Sequence, residues 1–374
     1  MKIRVGVVGC GLVAQIAHLP YLQELSHLFE ISALCDLSPG LIGELGRRYD
    51  VPGRYQDYRE LLEHDLDAVF VLTRDHAPVA VAAAESGKHV FVEKPLCFNL
   101  EQADEMIHSA RRNKVKLMVG YMKRYDPGYE RACEIFQEMK GSHLIRVHNS
   151  VGSPARITQE IYDLVHYPDV PEAELEESKA RNDASLLQAI GPELKELLPA
   201  YSLLLHLWSH NINIMRGAFG EPHQIRYAEV RTGMPSPPLP NLLVLAILDY
   251  GPDAACVLET HAFAANEWWD EELALFGNER TVRVRFPNPY LKNFPTTVCV
   301  EETVAGELIQ QEIVASYDEA YKRELKHFYD CVVNDVEPLT NGQDGKRDLE
   351  LAIGLIKDCR SSSPRQKGSS PISH

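Results

Sequence analysis

Two segments of the sequence carry side chains whose types and spacing could do chemistry. The first is Lys94, which ends a short apolar run and directly precedes a proline. The second is 203–213, which predicts one helix with His206, His210 and Asn213 on a common face. Oxidising a secondary alcohol requires a base for the hydroxyl proton and a cation or hydrogen-bond donor for the charge on the oxygen. His210 could serve as that base near neutral pH, and Lys94 as that cation.

The apolar run before Lys94 predicts a buried parallel strand, and open α/β sheets bind their ligands where such strands end. Residues 3–8 predict the first strand of that sheet, and Gly9-Cys-Gly11-Leu-Val-Ala14 opens a helix that continues to about residue 28. The two glycines permit a tight turn and a close approach to a pyrophosphate. Strand 30–35 then leads into Asp36, whose carboxylate can accept both ribose hydroxyls. The pattern predicts a dinucleotide site and favours NAD over NADP.

The remaining elements predict two kinds of sheet. Strands and helices alternate up to about residue 120, which indicates an α/β Rossmann domain with a doubly wound parallel sheet. From about residue 221 the apolar period approaches two, which indicates a large, mainly antiparallel sheet in an α+β domain. Further helices are predicted at 41–49, 58–63, 78–86, 100–113, 128–139, 317–333 and 347–358, and further strands at 67–73, 89–92, 116–120, 144–150, 224–231, 242–250, 254–261, 271–276, 281–286 and 308–314.

These patterns divide the chain into domains. We predict a dinucleotide-binding domain over 1–125 and a domain for substrate and oligomer contacts over 126–360. Within the second, the acidic segment 154–200 is predicted to be a helical insertion, which could be a lid, an oligomer contact or a solvated excursion. Residues 361–374, rich in Ser, Pro and Gly, are predicted to be disordered.

Composition narrows the functional classes. The chain has 374 residues, 45% of them hydrophobic, and no apolar run near the length of a membrane span. Its net charge of -16 argues against nucleic acid and anionic membranes as partners. The eight cysteines are scattered without a C-x-x-C pair, and the N-terminus lacks the layout of a signal peptide. Buried thiols and a cytoplasmic location are therefore expected.

Several motifs occur together in the order that is typical of one enzyme family. The chain resembles the Gfo/Idh/MocA oxidoreductases over nearly its whole length. The motifs are Gly9-x-Gly11-x-x-Ala14, His18-Leu-Pro20, 67–73, 87–90, Glu93-Lys94-Pro95, 120–127, His210-Asn-Ile-Asn213, Phe219-Gly-Glu-Pro222, the helix at 317–333 and the segment 342–358. The resemblance implies hydride transfer between a nicotinamide cofactor and a secondary hydroxyl or ketone of a sugar, cyclitol or related polyol. It also implies a homodimer or homotetramer that assembles through the C-terminal sheet.

The resemblance also implies roles for individual residues. Lys94, His210 and His206 are the candidate catalytic residues, and His206 could relay a proton or hold a neighbouring hydroxyl. The candidate substrate contacts are Tyr121, Arg124, His206 and Asn213. The candidate cofactor contacts are Gly9, Gly11, Leu12, Val13, Asp36, Thr73, Arg74, His76, Glu93, Lys94 and Pro95.

The sequence departs from the family pattern at two places. The family reads Asp-x-Gly-x-His-x-x-Asp at the catalytic helix, where this chain has His206, Trp208 and Asn213 in place of the first aspartate, the glycine and the second aspartate. Two negative charges are thereby absent from the expected site. In the loop after strand 67–73, Arg74 replaces a proline. Its positive charge leaves NADP open as the cofactor.

Three alternatives stay open from the sequence. The helix could be structural, with two incidental histidines. His206 and His210 also have the spacing of metal ligands on a helix, although no third ligand is evident. Finally, the chain could bind a dinucleotide without catalysis, as a sensor or regulator of the same fold. The presence of both Lys94 and His210 argues against a sensor, because a pure sensor needs no general base.

Overall fold

The computed structural model describes residues 1–153, 155–232, 241–262 and 268–359. Its first sheet has six parallel strands in the order β3-β2-β1-β4-β5-β6. The strands are β1 (Ile3–Val8), β2 (Phe29–Cys35), β3 (Gly53–Tyr55), β4 (Ala68–Val71), β5 (His89–Glu93) and β6 (Leu117–Gly120). The doubly wound parallel sheet predicted from the alternating pattern is confirmed. Only the three-residue β3 was not predicted.

Helices cover both faces of this sheet. They are α1 (Leu19–Glu24), α2 (Pro39–Arg48), α3 (Tyr58–Leu62), α4 (Ala77–Glu85) and α5 (Leu100–Asn113). A π-helical turn, Ala14–His18, precedes α1. The predicted continuation to residue 28 was wrong, because the backbone leaves the helical region at Leu25. Ser38 caps α2 and Asn99 caps α5, each by accepting a backbone N–H from the first turn.

The second sheet has eight strands in the order β14-β13-β12-β11-β7-β10-β9-β8. They are β7 (His143–Val151), β8 (Gln224–Thr232), β9 (Leu242–Asp249), β10 (Ala254–Ala262), β11 (Asp270–Phe276), β12 (Arg280–Arg285), β13 (Thr297–Val304) and β14 (Glu307–Val314). Every adjacent pair is antiparallel except β7 with β10. The mainly antiparallel sheet is confirmed. Strand β13 was missed, since the consecutive acids Glu301 and Glu302 interrupt its apolar alternation.

The other helices connect the two sheets. They are α6 (Pro127–Glu138), α7 (Ala155–Ile161), α8 (Glu172–Ile190), α9 (Leu198–Leu203), α10 (Ser209–Phe219), α11 (Ala320–Val333) and α12 (Gly342–Lys357). Helix α11 returns to the first sheet, where Leu325 and Phe328 are fully buried in its core. The N–H of Val119 in β6 donates to the carbonyl of Thr340. The domain boundaries predicted at residues 125 and 360 stay a prediction. Helix α11 and the segment at Thr340 return to the first sheet, so the two domains are not separate stretches of the chain.

The sequence also predicted no membrane-spanning segment, buried thiols and a disordered C-terminal tail. None of the helices among the described residues is long and apolar enough to cross a membrane. All eight cysteines are free thiols, and six of them are buried. The tail predicted to be disordered, 361–374, lies outside the described residues.

The turn after β1 generates a stability prediction. Gly9 has φ +94°, and a Cβ at this position would lie 2.7 Å from the backbone of Leu72 and Thr73. We expect Gly9→Ala to lower the free energy of unfolding by about 2 kcal/mol, through a strained backbone and a forced shift of neighbouring chain. The matched control is Gly43→Ala within α2, where a Cβ would have nothing within 4 Å. That change should stabilise by about 0.5 kcal/mol. Urea unfolding of both variants checks this, and equal effects would contradict it.

Candidate active site

A cavity of about 610 Å³ opens at the carboxyl ends of β1, β2 and β4. Five predicted cofactor residues line it, namely Gly9, Gly11, Asp36, Thr73 and Arg74. A Cβ added at Gly11 would meet nothing within 4 Å, so the backbone there faces open space. The volume is in the range of pockets that hold cofactors. The cavity therefore has both the room and the exposed backbone that a dinucleotide needs.

The carboxylate of Asp36 is fixed beside the glycine turn. One oxygen accepts the N–H of Cys10 at 2.8 Å, and the other accepts the N–H of Ser38 at 3.0 Å. Leu12 and Val13 lie at the start of the following helix, whose N-terminus has no side-chain cap. Such an N-terminus favours an anion. These residues could hold the ribose and pyrophosphate of a dinucleotide, as the sequence predicted.

Three other predicted cofactor residues, His76, Glu93 and Pro95, hold the backbone around Lys94 in place. The buried His76 donates from Nδ1 to the carbonyl of Pro95 at 2.7 Å, and burial lowers the pKa of His76. Glu93 accepts a hydrogen bond from His18 Nε2 at 2.7 Å and another from the backbone N–H of Lys94 at 3.1 Å. The Lys94–Pro95 peptide bond is cis. His76, Glu93 and Pro95 are not among the cavity's lining residues, so their described contacts position Lys94.

Lys94 joins the end of β5 to the predicted catalytic helix. Its ammonium donates to the carbonyl of His206 at 2.6 Å. Among the residues that the structure describes, no carboxylate forms an ion pair with this ammonium. Burial lowers the pKa of Lys94, the charge of Glu93 opposes that shift, and the charge of Lys123 adds to it. A lysine in these surroundings can donate a hydrogen bond and can also exchange a proton.

The segment 203–213 is not the uninterrupted α-helix that its sequence predicted. A π-helical turn, Leu204–Trp208, separates α9 from α10. The predicted common face of His206, His210 and Asn213 holds only in part: both histidines lie near Lys94, whereas the side chain of Asn213 bonds to Asp344 and Asp348. The three side chains therefore reach different partners. Single π turns of this kind occur frequently at functional sites.

His206 points a free acceptor into this region. Its Nδ1–H donates to the carbonyl of Ser202 at 2.7 Å, so Nε2 carries the lone pair. Nε2 is buried and has no hydrogen-bond partner among the described residues. Burial lowers the pKa of His206 to about 4, and the charges of Lys94 and Arg74 contribute. The imidazole is therefore neutral at physiological pH.

His210 lies between two lysines and a tyrosine. Burial and the charges of Lys123 and Lys94 lower its pKa well below the ordinary value. The ring of Tyr121 meets the imidazole edge-on, with centroids 5.8 Å apart. His210 Nδ1 is buried without a partner among the described side chains and backbone. The structure thus brings Lys94, His206, His210 and Tyr121 into one cluster, and their catalytic and substrate-binding roles stay a prediction.

Lys123 is a member of this cluster that the sequence analysis missed. It is buried and forms an ion pair with the buried Glu271. Glu271 also accepts hydrogen bonds from Asn211 Nδ2 at 2.9 Å and Trp269 Nε1 at 3.0 Å. Lys123 follows β6, which pairs with β5, so the rule that ligands bind at strand ends could have found it. Glu271 gives no such signal, since it comes from the distant β11.

Arg124 and Asn213, two predicted substrate contacts, take part in a polar network. Asn213 is fully buried, and its Nδ2 donates to Asp348 at 2.7 Å and to Asp344 at 2.9 Å. Arg124 Nη1 donates to Asn213 at 3.3 Å. Arg216 forms an ion pair with Asp348. Burial raises the pKa of Asp348 to about 7, although the charge of Arg216 acts to lower it. The network ties α10 to α12, and substrate contact by these two residues stays a prediction.

The predicted insertion lies beside the cofactor cavity. Ser178 and Arg181, both from α8, line the cavity. Residues 162–169, which we call the strap, lead into α8 and contact the helices of the first sheet. Val165 exchanges two hydrogen bonds with the side chain of Gln15, at 2.8 and 3.0 Å. No local pattern in the sequence indicates this placement, and a lid function stays a prediction.

Within the part of the chain that the structure describes, His206 and His210 are not joined by the further ligands that a metal site requires. Among the described residues, no group of three or more His, Cys, Asp and Glu side chains could hold a metal ion. His206 Nδ1 is already bonded to the Ser202 carbonyl.

The depressed pKa of His206 generates a prediction about stability. Its folded pKa, about 4, lies below the ordinary value of 6.5, so the unfolded chain binds more protons between these values. Stability is then lost as the pH falls from about 7 to about 5. We expect His206→Gln to remove about 2 kcal/mol of that loss. The control is His108→Gln, which alters an exposed histidine on α5. Urea unfolding at both pH values measures this, and a wild-type pH dependence in His206→Gln would contradict it.

Comparison with known proteins agrees with the cavity and the fold. Residues 3–121 match the GFO_IDH_MocA family model, described as an oxidoreductase family with an NAD-binding Rossmann fold. Inositol 2-dehydrogenase of Salmonella typhimurium is 30% identical over 181 residues, which cover 46% of this chain and 54% of the relative. Myo-inositol 2-dehydrogenase of Thermotoga maritima is 24% identical over 367 residues, 95% of each chain.

A solved structure shows the same fold. A 3-ketoreductase from Actinomadura kijaniata, in complex with NADP, has a TM-score of 0.73 at 19% identity and covers 96% of this chain and 98% of its own. The chain spans about half the length of the inositol dehydrogenases that it matches at 30% identity. The family model covers the Rossmann domain, and its description is that of an NAD-binding fold. Over residues 3–121, the chain is therefore similar to the Gfo/Idh/MocA oxidoreductases.

Proposed function

We propose that this chain is an NAD(P)-dependent oxidoreductase that transfers hydride between the nicotinamide and a secondary hydroxyl or ketone of a sugar, cyclitol or related polyol. The observation that carries the proposal is the cluster of the half-buried Lys94 and His206 with the buried His210, at the end of β5. The inositol dehydrogenases among the relatives support the substrate class. A homodimer or homotetramer through the second sheet remains part of the proposal.

His210 and Lys94 have separate roles in this reaction: His210 accepts the proton, and Lys94 stabilises the charge on the oxygen. A neutral His210 accepts the hydroxyl proton, because burial and two lysines oppose its charging beforehand. Lys94 donates a hydrogen bond to the same oxygen and stabilises the negative charge that develops there. To do so, the ammonium uses N–H groups that remain after its bond to the His206 carbonyl. The nicotinamide, when bound, accepts the hydride.

His206 and Lys123 complete the surroundings of the reacting carbon. The Nε2 lone pair of His206 can accept a hydrogen bond from a neighbouring hydroxyl of a polyol. Lys123, held by Glu271, keeps positive charge beside His210 and thereby maintains its neutral form. A substrate with adjacent hydroxyls satisfies these groups better than a simple alcohol does. This supports a polyol over a substrate with one isolated hydroxyl.

The test of this proposal is removal of the Lys94 ammonium. Lys94→Ala should lower kcat for polyol-dependent NADH formation by about a hundredfold or more, since it deletes the donor to the reacting oxygen. Lys357→Ala, which changes an exposed lysine of α12, is the control and should keep wild-type turnover. The assay uses the full chain with NAD or NADP and a panel of sugars and cyclitols.

Two outcomes separate the proposal from the sensor alternative. Turnover by the wild type that is lost in Lys94→Ala, with dinucleotide binding retained, supports catalysis. Dinucleotide binding without turnover on any polyol, unchanged in Lys94→Ala, would favour a sensor or regulator of the same fold.

A further inference from the structure

The N-terminal end of α2 borders the dinucleotide cavity. Asp36 and Leu37 line the cavity, and Ser38 caps α2 by accepting the N–H of Leu41 at 3.1 Å. In Rossmann sites the acidic residue after the second strand binds the ribose 2′-hydroxyl. A 2′-phosphate on the same ribose would therefore approach this helix end, where exposed N–H groups and the helix dipole favour an anion.

A carboxylate of the protein already occupies this end of α2. Asp169 accepts the N–H of Gly40 at 2.7 Å and the hydroxyl of Ser38 at 2.5 Å, one with each carboxylate oxygen. The ring of Tyr167 covers Gly40 closely, since a Cβ added there would lie 2.7 Å from the ring. Hydrogen bonding from Ser38 holds the pKa of Asp169 below its ordinary value, so the carboxylate is ionised at neutral pH. The anion position is filled.

The strap holds Asp169 in this position at several points. Val165 and the side chain of Gln15 exchange two hydrogen bonds, and Arg48 donates to the carbonyl and the carboxylate of Asp163 at 3.0 Å each. Tyr162 donates from its hydroxyl to the carbonyl of Tyr290 at 2.7 Å. These contacts fix residues 162–165, which come just before Asp169 in the chain, so the position of Asp169 does not depend on its own hydrogen bonds alone.

Ser38 connects two carboxylates, Asp36 in the lining of the cavity and Asp169 just outside that lining. Its N–H donates to Asp36, and its hydroxyl donates to Asp169. Three arginines line the same cavity, and two of them form ion pairs with exposed carboxylates. Arg59 bonds to Asp57, and Arg181 bonds to Glu177. Arg74 lies close enough to His206 to lower the pKa of that imidazole.

We propose that Asp169, supplied by the strap, determines the choice of NAD over NADP. A 2′-phosphate carries about two negative charges at neutral pH, so it would be repelled by Asp36 and Asp169 together. It would also find the N–H of Gly40 and the hydroxyl of Ser38 already bonded. The ribose hydroxyls of NAD meet neither obstacle. This inference rests on the proposed function only in that a dinucleotide binds the cavity.

The experiment compares ligands that differ by the 2′-phosphate alone. Isothermal titration calorimetry of the full chain measures Kd for NAD, NADP, adenosine 5′-monophosphate and adenosine 2′,5′-bisphosphate. The test variant is Asp169→Asn, whose amide can accept from Gly40 and donate to Ser38 without the charge. The control is Asp163→Asn, which weakens the strap at Arg48 and leaves Asp169 unchanged. Thermal unfolding of each variant verifies that it folds.

We expect the wild type to bind NAD and adenosine 5′-monophosphate more tightly than their 2′-phosphorylated partners. Asp169→Asn should tighten binding of both 2′-phosphorylated ligands by about tenfold, while NAD binding changes little. The gain should shrink at high ionic strength, because Asp169 is exposed and its charge is screened. Asp163→Asn should keep the wild-type preference.

Several results would overturn the inference. Equal affinity of the wild type for NAD and NADP would do so and would leave the proposed oxidoreductase intact; this arm needs no variant. Unchanged affinity of Asp169→Asn for adenosine 2′,5′-bisphosphate, or an equal gain in Asp163→Asn, would also contradict it. Failure of all four ligands to bind would contradict the dinucleotide site itself and with it the proposed function.

Discussion

The hydrogen bond from the Lys94 ammonium to the His206 carbonyl is the contact on which the arrangement of the candidate site depends. It links the end of a strand in the parallel sheet to a π turn that belongs to the second half of the chain. Both sides of this contact are braced. His76 and Glu93 fix the backbone around Lys94, and the interrupted helix presents a carbonyl with its lone pairs available. The cluster therefore depends on the packing of the two sheets together.

The electrostatics of the cluster follow from burial combined with like charge. Two lysines lie near His210, and only one of them, Lys123, has a carboxylate partner among the described residues. Burying an imidazole among cations disfavours its charged form, so both histidines are neutral and able to accept. In the related pattern of the family, aspartates stand at the places of His206 and Asn213. Here, a histidine lone pair and an amide within a polar network take those places, which makes the local charge more positive.

Most of the first sheet could be predicted from the sequence, because its signals are local. The glycine turn, the apolar strands and Asp36 each act on their immediate neighbours, and the structure places them at one cavity. The π turn could not be predicted, since the periodicity of 203–213 fits an uninterrupted helix equally well. The contacts of the strap and of Glu271 could not be predicted from the sequence, for a different reason. Asp169 and Ser38 are 131 residues apart and Lys123 and Glu271 are 148 apart, so no short pattern encodes their contacts.

The most direct test of hydride transfer follows the hydrogen itself. The full chain would be incubated with NAD or NADP and a polyol substrate that carries deuterium on the reacting carbon, and the reduced cofactor would be analysed by mass spectrometry. We expect deuterium to appear in the reduced nicotinamide, and we expect His210→Asn to slow its appearance without diverting the label. Reduced cofactor without deuterium, or no reduced cofactor with any polyol, would contradict hydride transfer from a polyol.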